Sequence, residues 1–183
     1  MSVGLLVIDI QNDYFPGGKM ELDRSEQAGA VAGRLVTFFR ERKLPVVHVQ
    51  HLAKPDAPFF VPGTPGVEIR PVVEPLANET LIQKHYPNAF RETRLLDHLH
   101  SQGIKQLVIT GMMTHMCVDA AARAAADFGF ECRIAQDGCA TRTLKLNDKT
   151  VPAPEVHAAF LAALNGVYGR VLPADTIIKE LQK

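Results

Sequence analysis

The chain has 183 residues, 46% of them hydrophobic and 22% charged, with 20 Lys and Arg against 20 Asp and Glu. That size and composition suit a single soluble globular domain, residues 1–183, able to bury a substantial core. Zero formal charge supplies no field to recruit nucleic acid or an acidic membrane, and nothing in it opposes self-association. The three cysteines, Cys117, Cys132 and Cys139, are odd in number and lack a disulfide-framework spacing, so a reducing cytoplasm is the expected home. The apolar run Val3 to Ile8 is far too short to span a bilayer, and no signal peptide precedes it.

Val3 to Ile10 reads as a strand buried on both faces, because its apolar residues are continuous rather than alternating. Phe15-Pro16-Gly17-Gly18 is a turn. Asp23 and Glu26 have capping-box spacing, and Ala28, Val31, Leu35 and Phe38 follow at helical intervals. Leu44 to Gln50 is a second strand. Between Leu52 and Pro75 lie six prolines and two glycines, which predicts a long irregular loop of functional weight. Thr80 to Lys84 is a third strand, Glu92 to Ser101 a helix and Lys105 to Thr110 a fourth strand. Cys117 opens an alanine-rich helix that stops at Gly129. Glu131 to Gln136 is the fifth strand, 137–154 a loop, Glu155 to Leu164 a helix and Val167 to Leu172 the last strand, before a terminal helical turn. Strands alternating with helices at this spacing predict an α/β fold around a mainly parallel six-stranded sheet.

In such folds ligands bind at the carboxyl ends of the strands, where strand order reverses. Asp9 ends the first strand, Lys84 ends the third and Cys117 follows the fourth, so an acid, a cation and a thiol can meet on one rim. A thiol at a helix N-terminus faces unpaired N–H groups that favour thiolate.

These residues carry a family resemblance. Asp9-Ile10-Gln11-Asn12-Asp13, Pro62-Gly63-Thr64-Pro65-Gly66, Lys84 and Gly111-Met112-Met113-Thr114-His115-Met116-Cys117-Val118 stand in the order found in isochorismatase-like cysteine hydrolases, a superfamily that includes nicotinamidases and N-carbamoylsarcosine amidohydrolases. The chain resembles them over nearly its whole length. The resemblance implies a three-layer α/β/α Rossmann-like fold, a catalytic triad of Asp9, Lys84 and Cys117, and a cis peptide between Met112 and Met113. It also implies an oxyanion hole made by the Met113 and Cys117 N–H groups, and a homo-oligomer of dimer size or larger.

One departure bears on cofactors. Metal-holding nicotinamidases of the superfamily carry an Asp-x-His pair after strand two, where this chain reads His48-Val49-Gln50-His51. Two histidines three apart in a strand face opposite ways, so no metal is expected. No phosphate-cradling glycine motif calls for a nucleotide either, so no cofactor is expected. Phe15, His51, Phe59 and Phe90 fall in segments near the predicted rim and are candidate substrate contacts. Cys132 reads as core, Cys139 as loop support and His157 as a structural histidine. The sequence therefore favours a metal-independent cysteine hydrolase of a small amide, ureido or lactam C–N bond. Two alternatives stay open: vinyl-ether hydrolysis of the isochorismatase type, which needs the acid and lysine but not the thiol, and an idle oligomeric scaffold or binding protein.

Overall fold

The computed structural model describes residues 2–182. Its strands are β1 (Ser2–Ile8), β2 (Val46–His51), β3 (Thr80–Lys84), β4 (Ile104–Met112), β5 (Glu131–Ala140), β6 (Leu144–Leu146), β7 (Lys149–Val151) and β8 (Arg170–Leu172). Its α-helices are α1 (Ser25–Glu41), α2 (Leu95–Ser101), α3 (Asp119–Asp127), α4 (Ala153–Leu164) and α5 (Ala174–Leu181). Six strands form one parallel sheet in the order β3-β2-β1-β4-β5-β8, and β6 with β7 makes a separate antiparallel hairpin. The order of winding reverses between β1 and β4, and the crevice expected of such a sheet opens at their carboxyl ends.

The apolar continuity of β1 is explained by cover on both faces. Leu5 and Val7 pack with Leu35 and Phe39 of α1 and Ala174 and Ile177 of α5. Leu6 and Ile8 point the other way, to Leu95 and Leu99 of α2, Ala121 and Ala125 of α3 and Leu161 of α4. The protein is thus a three-layer α/β/α sandwich, each fully buried leucine contributing about 1.5–3 kcal/mol. No helix among the described residues is long and apolar enough to cross a membrane.

Several boundaries differ from the sequence-based expectation, each for a local reason. β1 stops at Ile8 rather than Ile10 because Asp9 turns the chain with a left-handed φ of 51°. The capping box does not form: Asp23 donates its N–H to the Thr141 carbonyl at 2.9 Å, and Arg24, left-handed with φ of 55°, precedes the helix with no side-chain cap. The helix expected from Glu92 begins only at Leu95, since Glu92 is itself left-handed with φ of 56°. β5 runs to Ala140, beyond the expected Gln136, because after an irregularity it pairs again with β4 through Gly111 with Cys139 and Met112 with Ala140. The loop beyond it holds the β6–β7 hairpin. β8 is shorter than expected at its start, where Val167 stands 78% exposed in a turn closed by Gly166 and Gly169.

Candidate active site

Asp9 sits at the end of β1 with its N–H on the Val49 carbonyl of β2 at 3.0 Å, fixing its backbone between the two strands. The segment that follows fastens the long loop over it. Gln11 donates from Nε2 to the carbonyls of Val67 at 2.7 Å and His51 at 3.0 Å, and accepts the His51 N–H at 2.8 Å. Asp13 accepts the N–H of Phe60 at 2.7 Å and that of Lys19 at 3.2 Å. A Cβ at Gly66 would lie 2.1 Å from Asp13 Oδ1, so only glycine lets this loop approach.

Cys117 is placed by the end of β4. Gly111, with φ of 143°, passes so close to β1 that a Cβ would meet the Ile8 carbonyl oxygen at 2.1 Å. The Met112–Met113 peptide is cis. The chain then makes one π-helical turn, Thr114–Val118, before α3 begins at Asp119, so the cysteine lies in a wide turn rather than in the first turn of an α-helix as its sequence suggests. The Met113 carbonyl accepts the N–H groups of Met116 at 3.0 Å and Val118 at 3.2 Å. The Met113 N–H donates to no backbone acceptor among the described residues.

Asp9, Lys84 and Cys117 meet. Lys84 Nζ lies 2.8 Å from Asp9 Oδ2 and 3.3 Å from Cys117 Sγ, and Asp9 and Lys84 are completely buried. The ammonium also touches His51 Nδ1 at 2.8 Å and the Tyr86 carbonyl at 3.0 Å. The heavy-atom geometry suits hydrogen bonds from the ammonium to His51, Tyr86 and Cys117, while Asp9 meets it as an ion pair with no aligned donor on either oxygen. Because an ammonium can only donate, His51 Nδ1 must accept, and the ring proton belongs on Nε2.

The electrostatics correct the expectation of a ready thiolate. Burial, followed by the Asp9 charge, pushes the Cys117 thiol well above its usual range; Lys84 opposes this without overturning it. The resting group is therefore a thiol with Asp9 as its neighbouring acceptor. Burial works to lower Lys84, but its neighbours, the Asp9 charge foremost, prevail and hold it above its ordinary value. Burial, with Lys84 beside it, brings His51 down to about 4, so its ring is neutral near pH 7.

Asp9, His51 and Cys117 offer ligand-type atoms within 4.8 Å of one another. The Lys84 ammonium stands among them, in contact with all three, so a positive charge already holds the position a divalent ion would take. His48 cannot help, since it points to the far side of β2 with Nε2 on Glu79 at 2.9 Å.

The four candidate substrate contacts separate. His51 joins the triad, and its ring lies 5.9 Å from that of Phe60. Phe59 is partly buried against Phe60 and Tyr14. Phe15 and Phe90 are engaged in packing: Phe15 is buried against Gly29 of α1 and lies under the Arg70 guanidinium, and Phe90 meets Phe128 at a tilt and stacks on Phe130. Sequence reasoning missed Tyr14, Phe60 and Tyr86. The Tyr14 ring is 4.5 Å from that of Phe60, and burial, then the charges of Cys117 and Asp9, raises its phenol well above the usual range. Its place one residue after the Asp9–Asp13 segment was the available signal. The Tyr86 carbonyl carries no side-chain signature at all.

The chain is similar to proteins of one family. Residues 3–175 match the family profile described as the isochorismatase domain. The chain is 51% identical, over 98% of its length and 100% of the relative's, to the uncharacterized isochorismatase family protein YddQ of Bacillus subtilis (strain 168). It is 31% identical to a streptothricin hydrolase of Streptomyces noursei, over 75% of this chain and 49% of that one. A crystal structure of a proposed isochorismatase hydrolase from Oleispira antarctica superposes with a TM-score of 0.94 at 47% identity, covering 97% of this chain and 96% of that one.

Proposed function

The chain belongs to the isochorismatase family, and within it we propose that the protein is a metal-independent cysteine hydrolase of a small amide, ureido or lactam C–N bond. The observation that carries this reading is the contact of one buried ammonium with both the carboxylate and the thiol, at 2.8 and 3.3 Å. Asp9, with no aligned donor on either oxygen, is free to take the thiol proton as substrate arrives. Lys84, held charged by its neighbours, then stabilises the thiolate.

The thiolate forms a bond to the substrate carbonyl carbon, and the π pair moves to oxygen. The N–H groups of Met113 and Cys117 receive that oxyanion; one such donor contributes about 3 kcal/mol in acyl-transfer enzymes. Collapse breaks the C–N bond, and protonated Asp9 gives its proton to the departing nitrogen. Asp9 next takes a proton from water as it attacks the thioester, and the released thiolate recovers that proton. His51 Nε2–H, with Tyr14, Phe59 and Phe60 as the adjoining aromatic wall, is assigned to orient the substrate.

Vinyl-ether hydrolysis would leave Cys117 without work, although a buried ammonium is aligned on it. Self-association is part of the proposal, and light scattering tests it. The intermediate is tested by rapid quenching during turnover and intact-mass measurement. An acyl adduct on wild type that is absent from Cys117→Ala agrees with the thioester route; turnover by Cys117→Ala contradicts it.

A further inference from the structure

The two residues that open the nucleophile turn are gripped from outside it. Thr114 Oγ1 lies 3.2 Å from the Ala140 carbonyl oxygen and 2.9 Å from His157 Nδ1 on α4. His115 Nδ1 is hydrogen-bonded to the Thr141 hydroxyl. Thr141 and His157, with Asp23, Arg24 and Gln136, line a surface cleft of about 570 Å³.

Proton accounting fixes the direction of the first grip. The Thr114 hydroxyl has a single proton, and the Ala140 carbonyl can only accept, so the proton is directed there. Both contacts are satisfied together only if His157 donates from Nδ1 to the threonine oxygen. Burial lowers His157 and keeps the ring neutral, although a backbone hydrogen bond to Gln136 works the other way. Thr114 is the first residue of the π-helical turn that carries Cys117, and the Met113 carbonyl beside it anchors that turn.

We propose that His157 is a positioning residue for the nucleophile: its Nδ1–H holds Thr114, and through the turn sets Cys117 Sγ against Lys84 and Asp9. The inference rests on the assignment of Cys117 as nucleophile. A side chain that stood there only to fill space would do so in any ring orientation; a positioning donor must offer an N–H at the Nδ1 position.

That difference is the test. The amide of asparagine reaches where Nδ1 stands, whereas that of glutamine reaches toward Nε2. The rate of Cys117 alkylation by iodoacetamide is measured near neutral pH for wild type, His157→Asn, His157→Gln and His157→Leu, with thermal midpoints alongside. Displacement of a reacting group by about 1 Å costs up to about 100-fold. The Gln and Leu proteins are expected to label about 10- to 100-fold more slowly at similar midpoints, and the Asn protein to recover most of the rate. Thr114→Val against Thr114→Ser repeats the comparison should the α4 variants not fold, with the serine expected to label as wild type. An Asn protein no better than Leu, or four proteins that label alike, overturns the proposal. Turnover by Cys117→Ala would speak instead against the hydrolase reading, so the two failures are separable.

Discussion

Asp9→Asn keeps the shape of the buried pair and removes its negative charge. Lys84 is fully buried with Asp9 at 2.8 Å, and its other contacts are a neutral imidazole, a carbonyl and a thiol. Removing one partner of a buried pair typically costs about 3–5 kcal/mol, because the other is left uncompensated. For a chain of this length that corresponds to a fall in the thermal midpoint of about 6–20 °C. The pH dependence is more diagnostic than the size. In wild type the folded Lys84 is held above its ordinary value, so its contribution is complete below the unfolded value of about 10.4 and is lost as pH rises through the folded one. In the variant burial is no longer opposed by Asp9, and the folded value falls below the unfolded one. The unfolded chain then binds more protons, and stability rises with pH on the approach to 10.4 or so. Urea titrations between neutral and alkaline pH measure both slopes. A variant as stable as wild type, or one whose stability changes with pH in the wild-type sense, would refute the claim that Asp9 compensates a charged Lys84.

Gly66→Ala should push the Asp13 carboxylate off the Phe60 and Lys19 N–H groups, costing about 1–3 kcal/mol per buried donor left unpaired and lowering turnover as the loop loosens; a crystal structure with both contacts intact would contradict this. The Arg40, Leu76 and His48 contacts outweigh burial and bring Glu79 down to about 2, so its stabilisation is present above the ordinary carboxylate range and lost as pH falls toward that value. Glu79→Gln should therefore be less stable at neutral pH and lose part of the acid dependence, as read from midpoints between neutral and acidic pH. The resting Cys117 should show no thiolate absorbance at neutral pH, and its appearance there would contradict the effect of burial. His51, brought down to about 4, should give no inflection of its own in the pH–rate profile between pH 5 and 8 or so.

The parts of this protein that were legible in its sequence are those where one local pattern has one outcome. Thr80 to Lys84 coincides with β3, and the apolar run after Ser2 is β1, because a strand covered on both faces must be apolar throughout. Asp9, Lys84 and Cys117 were legible because charged or reactive residues at strand ends are few, and topology gathers strand ends. The remainder depends on contacts distant in sequence. Asp23 had the spacing of a cap, but its backbone bridge to Thr141 prevails. Ala140 lies in β5 only because β4 resumes pairing beyond its irregularity. Phe15, Phe59 and Phe90 are chemically alike, and nothing local distinguishes packing under Arg70 or against Phe128 from facing a pocket. The raised thiol was missed because a helix terminus was weighed without the burial and carboxylate that outweigh it.

Ammonia release from a panel of small amides and ureido acids, and free-amine formation from lactams, with wild type beside Cys117→Ala, tests Cys117 as the nucleophile. Release from at least one member by the wild type and none by a folded Cys117→Ala is the expected result. Equal release by both proteins would contradict it.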